Sequence, residues 1–169
     1  MTAINPVITY DGNAEEAFNF YKSVFGGEFA IVMRWGEMPG GEEMKLSESD
    51  KGKMMHIALP ISEGSVLMGC DHMGEMGVLT IGNNFEIAIA PDSKEEADRL
   101  FNGLSEGGTV TMPIQETFWA RRFGMLVDRF GTPWMVNGAM TIDNGRMTLD
   151  DVPAPSQQLA RAREVISAH

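Results

Sequence analysis

Apolar residues along this chain recur in two rhythms, and each rhythm occurs twice. Ala17, Phe20, Tyr21 and Val24 fall at i, i+3, i+4 and i+7, the spacing of one helical stripe. Ala97, Leu100, Phe101 and Leu104 repeat that spacing eighty residues later. Asn13, with Glu16 three residues on, is placed to cap the first helix, and Ser93 with Glu96 forms an S-x-x-E capping box for the second. Gly26 and Gly27 end the first helix, and the same shift lays Gly27 on Gly107. Runs of β-branched, aromatic and aliphatic residues predict strands at 4–10, 28–35, 53–60, 65–70 and 85–90, with a hairpin turn at Glu63-Gly64. Residues 36–53 are a long polar loop, and residues 71–82 are Gly-rich, with some strand at 78–81.

The stretch 118–137, FWARRFGMLVDRFGTPWMVN, is rich in aromatic and aliphatic residues. It predicts two strands, 119–127 and 132–137, joined by a turn at Asp128-Arg129-Phe130-Gly131, where Gly131 is free to take a positive φ. Alternation puts Trp119, Arg121 and Phe123 on one face and Arg122 on the other. Trp134 belongs to the core under the helices, and Met135 and Asn137 to the opposite side.

Each half of the repeat reads as a strand, an amphipathic helix and about three further strands. One half alone leaves a sheet face bare, so two halves are expected to join into a larger curved sheet with helices outside and a concavity within. The expected division is a first module over residues 1–82, a second over 83–140, and a C-terminal extension over 141–169 carrying a short helix with Leu159, Ala162 and Ile166 on one stripe.

Two motifs carry a family resemblance. W-A-x-R-F-G-x-x-x-D-x-F-G-x-x-W, from Trp119 to Trp134, resembles the closing hairpin of PhnB-like proteins of the glyoxalase/bleomycin-resistance, or vicinal oxygen chelate, superfamily. INPVITYDGNAEEAFNFYKSVFGGEF, from Ile4 to Phe29, is similar to that family's opening strand and helix. The resemblance covers roughly residues 4–138 and implies an α+β fold of paired βαβββ modules, a curved mixed sheet with helices on its outer face.

Metal-dependent relatives place a ligand near the start of each module's first strand and another on each module's last strand. The resemblance carries these positions to Pro6, Glu86 and Met135, with the fourth among residues 67–71, where Asp71 offers a carboxylate. A proline side chain ligates nothing, and a thioether is a poor ligand for Mg²⁺, Mn²⁺ or Zn²⁺. No metal and no cofactor is therefore expected.

Composition narrows the partners. The net charge of −11 repels nucleic acid and anionic membranes. There is no apolar run of membrane-spanning length and no basic, apolar leader at the N-terminus, and the single cysteine, Cys70, suits a reducing compartment, so a cytoplasmic protein is expected. Fourteen methionines supply core filler and adaptable binding surface. The chain has no CxxC, HExxH, P-loop, strand-linked Rossmann fingerprint or G-x-S-x-G elbow, and no pattern for binding a methyl-donor nucleotide.

The candidate ligand-binding residues are Arg34, His56, Glu86, Trp119, Arg121, Arg122, Phe123, Met135 and Asn137. Glu86 alternates with the apolar Phe85, Ile87 and Ile89, which sends it toward the concavity, where a carboxylate needs a cationic partner such as Arg34, Arg121 or Arg122. His56 is either a hydrogen-bonded strand residue or a base. Three function classes remain open: a metal-free small-molecule binding protein with its pocket between the modules, a divalent-metal lyase, isomerase or dioxygenase, and a structural or interaction module, which the long loops and tail permit. The ligand count favours the first. A homodimer is expected, because open sheets leave edges to cover.

Overall fold

The computed structural model describes residues 3–39, 46–117 and 120–140, so Trp119 and the whole 141–169 extension lie outside the described residues. The chain divides into two units, at Phe85 and Glu86. In the first, β1 (Val7–Tyr10) leads into α1 (Ala14–Phe25), then β2 (Ile31–Arg34), a single α-turn α2 (Glu48–Lys51), β3 (Met54–Ser62) and β4 (Ser65–Asp71). The sheet order is β1-β4-β3-β2, with β1 parallel to β4 and the other pairs antiparallel. The second unit repeats the plan with β5 (Ile87–Ile89), α3 (Lys94–Ser105), β6 (Thr109–Gln115), β7 (Ala120–Val127) and β8 (Pro133–Met140) in the order β5-β8-β7-β6. Again the first strand pairs in parallel with the last. The class is α+β, two four-stranded mixed sheets each crossed by one long helix, as the repeat predicts. No strand forms at 78–81, where a short 3-10 turn at Gly74–Met76 precedes irregular chain.

Helix α3 buries Ala97, Leu100, Phe101 and Leu104, the expected stripe. In α1 the buried set is Ala14, Ala17, Phe18, Tyr21 and Val24; Phe18 goes fully under, whereas Phe20 stays half-buried. The reason is an aromatic cluster. Phe18 meets Tyr10 of β1 edge-on at 6.3 Å and Tyr21 at 5.6 Å, and the two tyrosine hydroxyls hydrogen-bond at 2.9 Å.

Glycines let the helices approach their sheets. A Cβ on Gly69 of β4 would strike the Phe18 ring. One on Gly124 of β7 would come within 2.6 Å of the Phe101 ring, and one on Gly138 of β8 within 3.0 Å of Ala97 Cβ. These contacts also identify the helix side of each sheet. Gly69 pairs with Ile57, and Gly124 and Gly138 share a face with Arg122, Leu126, Trp134 and Val136.

The expected cap of α1 is replaced. Asn13 makes no side-chain cap bond. Instead Asp71, at the end of β4, accepts from Ala14 N through Oδ1 at 2.9 Å and from Met54 N through Oδ2 at 2.8 Å. One buried carboxylate thus satisfies a free helix N–H and a strand N–H at once. In α3 the local cap forms, with Ser93 Oγ accepting from Glu96 N at 3.1 Å, but the Glu96 carboxylate turns to Arg99. In the second unit a buried aspartate has a similar task. Asp128 Oδ1 accepts from Phe130 N and Thr132 N, and Oδ2 from Trp134 Nε1 at 2.8 Å. That carboxylate holds the turn whose Gly131 has φ 84° and fixes the fully buried Trp134 beneath α3.

Candidate ligand-binding site

Each sheet has one side against its helix and one open side, and strand parity sorts the candidate residues between them. In the first unit, Val7 and Thr9 of β1 and Met68 and Cys70 of β4 take the open side, since Ile8 and Gly69 face α1. His56 of β3 joins them, adjacent to Ile57 on the helix side. A register shift follows: Met33 pairs with His56 but Arg34 with Met54, leaving Met55 as an extra residue. Such a bulge re-aims a side chain. Met54 is fully buried, while Met55 comes to line a cavity with Thr9 and Cys70.

That cavity has a volume of about 580 Å³. Its wall combines the strand residues Thr9, Met55 and Cys70 with Trp35 and Met38, and with Met76, Val78, Leu79 and Thr80 of the chain after β4. The lining is mainly apolar, and among the described residues it contains no lysine or arginine. Asp71 and His72 complete it, but both Asp71 carboxylate oxygens are engaged by backbone N–H groups. Thr9 Oγ1 and Cys70 Sγ are 3.7 Å apart. Trp35 Nε1 is shielded from solvent and has no hydrogen-bond partner.

The three candidate arginines divide between the two sides of their sheets. Arg34 reaches the helix side of its sheet, donating to Glu15 Oε1 of α1 at 2.7 Å and to Gly52 O at 3.0 Å. The Glu15 bond holds its guanidinium above the ordinary arginine pKa. Arg122 likewise faces α3, its Nε 2.9 Å from Asp98 Oδ1, an ion pair too bent for a hydrogen bond. Arg121 is exposed on the open side of the second sheet, the side of Phe123, Met125, Met135 and Asn137, and makes no ion pair among the described residues. Asn137 pairs across from Phe123, and its Oδ1 is buried without a partner. Met135 lies between Met125 and Ala88.

Glu86 falls one residue before β5 and is exposed, and among the described residues it has no ion pair with an arginine. Alternation does set it opposite Ile87, which pairs with Trp134 on the helix side. Phe85, expected on that apolar side, precedes the strand and is 49% exposed. The shift of eighty holds for the helices but slips by one in the first strands. Ile8 and Ile87, not Ile8 and Ala88, face their helices, so Val7 rather than Pro6 shares the open side with Glu86.

The residues do not suit a divalent metal. Valine or proline stands at one expected position and Met135 at another, and Asp71 is turned to the helix. Among the described residues no three His, Cys, Asp or Glu side chains are placed to hold an ion. The sequence places Trp35 at a pocket rim, but sequence reasoning missed Thr9, Met38, Met55, Cys70, His72 and the 76–80 wall. The signal available was a methionine-bearing, Gly-rich loop directly after a strand that ends in Cys70-Asp71 and is followed by His72.

Two βαβββ units of this topology are the architecture of the glyoxalase/bleomycin-resistance class, and solved members of that class share the fold. Within the class, the chain belongs to the PhnB-like family, whose model, described as 3-demethylubiquinone-9 3-methyltransferase, matches residues 2–137. A solved relative, protein PA1353 of Pseudomonas aeruginosa, is 38% identical, with TM-score 0.72 over 82% of this chain and 98% of that one. Protein YjdN of Escherichia coli is 31% identical over 79% of this chain and 93% of its own length. A Bacillus cereus structure described as a putative 3-demethylubiquinone-9 3-methyltransferase, PhnB protein, is 25% identical, with TM-score 0.62 over 82% of this chain and all of that one. No helix among the described residues is long and apolar enough to cross a membrane.

Proposed function

We propose that this protein is a small-molecule binding protein that works without a resident metal, and that its ligand enters the cavity on the open side of the first sheet. The observation that carries the reading is the cavity's lining: aromatic, thioether and aliphatic side chains with a few polar groups, the composition of organic-ligand sites. The donor set argues the same way, since the carboxylate nearest the cavity already serves two backbone N–H groups. The methyl transfer in the family's description is not part of this reading, because the chain lacks a pattern for the methyl donor. Arg121, Phe123, Met135 and Asn137 form a second polar-aromatic group on the open side of the other sheet, and we retain them as candidate ligand contacts. A cytoplasmic homodimer fits the acidic surface and the edge strands β1, β2, β5 and β6 of the two sheets.

The test uses Cys70, the only cysteine, as a reporter in the wall. The neutral fluorophore N-phenyl-1-naphthylamine should bind saturably and slow alkylation of Cys70 by N-ethylmaleimide. Elemental analysis of protein purified without chelator should find no stoichiometric transition metal. Non-saturable fluorescence with unchanged alkylation removes the reading, and a stoichiometric metal moves it to the enzyme class.

A further inference from the structure

We infer that the first-unit cavity selects an uncharged aromatic molecule carrying a hydrogen-bond acceptor, with the Trp35 indole N–H as the group that reads the acceptor. This rests on the binding function proposed above and adds the chemical class. Three observations lead to it.

The first concerns charge. Among the described residues no lysine or arginine lines the cavity, and the one carboxylate among them, Asp71, is saturated by Ala14 N and Met54 N. A charged ligand would lose its hydration without gaining a counter-charge, apart from the His72 imidazole. The chain's net charge of −11 adds a further penalty for an anion.

The second concerns shape and softness. Met38, Met55 and Met76 line the cavity together with Trp35. Thioethers favour aromatic edges, and their flexible chains re-pack around a flat guest. About 580 Å³ leaves room for a two-ring molecule and its substituents.

The third concerns the unmet donor. Trp35 Nε1–H is shut from solvent and has no partner, an arrangement that is costly and uncommon in native proteins. The atom is covered in the ligand-free arrangement, so an acceptor reaches it only when neighbouring side chains shift, as methionines readily do. A guest that supplies a carbonyl there gains a hydrogen bond that water does not already provide.

Three two-ring probes separate these terms: 2-acetylnaphthalene, 2-ethylnaphthalene and 2-naphthoate. They differ in acceptor and charge at nearly constant shape. Affinity is read from protection of Cys70 against N-ethylmaleimide. The ketone should bind at least about tenfold more tightly than the hydrocarbon, the scale of one desolvated hydrogen bond. It should also bind more tightly than the carboxylate. Trp35→Phe, with its fold checked by circular dichroism, should bring ketone and hydrocarbon to within about twofold, chiefly by weakening the ketone. Equal binding of ketone and hydrocarbon by the unaltered protein overturns the inference and leaves the binding function standing. Carboxylate binding as tight as the ketone's also overturns it, with His72 then the counter-charge. If none of the three protects Cys70, the binding function itself fails.

Discussion

The two units share one strand order and one helix position, yet they seal the helix against the sheet by different means. Residue for residue along the helices, Phe18 of α1 corresponds to Asp98 of α3. In the first unit that position is fully buried in an edge-on aromatic cluster with Tyr10 and Tyr21. In the second it is a partly exposed carboxylate facing Arg122, and the buried weight moves to Trp134 in β8, held by Asp128. The topology therefore does not demand a particular residue at that helix position. At this one place between helix and sheet, the large ring comes from the helix in the first unit and from the sheet in the second.

The largest expected effect tests that difference directly. Phe18→Ala should destabilise the protein by about 3–5 kcal/mol in urea denaturation, the range for emptying a buried aromatic site. Asp98→Ala, at the corresponding position, should cost no more than about 1 kcal/mol, because its ion pair is partly solvated. Similar costs for the two would break the comparison.

The buried aspartates come next. Asp71→Ala strands the N–H groups of Ala14 and Met54 and should cost about 2–4 kcal/mol, at the rate for two buried donors left unpaired. Asn13→Ala should be nearly neutral, since the local cap is not used. A larger loss from Asn13→Ala than from Asp71→Ala would show that α1 is capped locally after all.

Gly69→Ala puts a methyl group into the Phe18 ring and should cost about 1–3 kcal/mol by overpacking. The obstacle is chiefly a side chain, so Phe18→Leu combined with Gly69→Ala should cost less than the sum of the two. Gly124→Ala meets the backbone of Ile114 as well as the Phe101 ring, so the matching pair with Phe101→Leu should recover less. Strict additivity at Gly69 would place the strain elsewhere.

Much of this was legible in the sequence. The helical stripes apart from Phe20, the repeat of eighty through the helices and the inward Trp134 follow from local spacing, and the structure keeps them. The face of Arg122 also followed from alternation, opposite Phe123. What could not be read depends on long-range partners or on a single extra residue. Asp71 looks like a free carboxylate until the fold brings Ala14 and Met54 to it. Arg34 looks like a pocket rim until Glu15 of α1 claims it. Met55 changes side because of a bulge that no composition rule announces. The cavity wall at 76–80 is irregular chain, so periodicity gives no clue to where its side chains lie.

The smallest effect concerns the start of α3, where the two helices again differ. The S-x-x-E motif predicts that Glu96 reaches back to the cap, but its carboxylate takes two bonds from Arg99, at 2.7 and 2.6 Å. Those bonds hold the Glu96 pKa below the ordinary glutamate value. A carboxyl lowered in the folded state stabilises the fold above its unfolded pKa of about 4.3 and loses that contribution as pH falls through the folded value. Both side chains are about half exposed, so solvent screening limits the gain. Glu96→Gln should cost about 0.2–0.5 kcal/mol at pH 7 and nothing below the folded-state pKa, with most of the cost disappearing in 1 M salt. Ser93→Ala removes the cap itself and should cost about 1 kcal/mol at either pH. If the Glu96→Gln cost persisted unchanged at acid pH and high salt, the carboxylate would be acting through the cap rather than through Arg99, and α3 would begin as its sequence predicts.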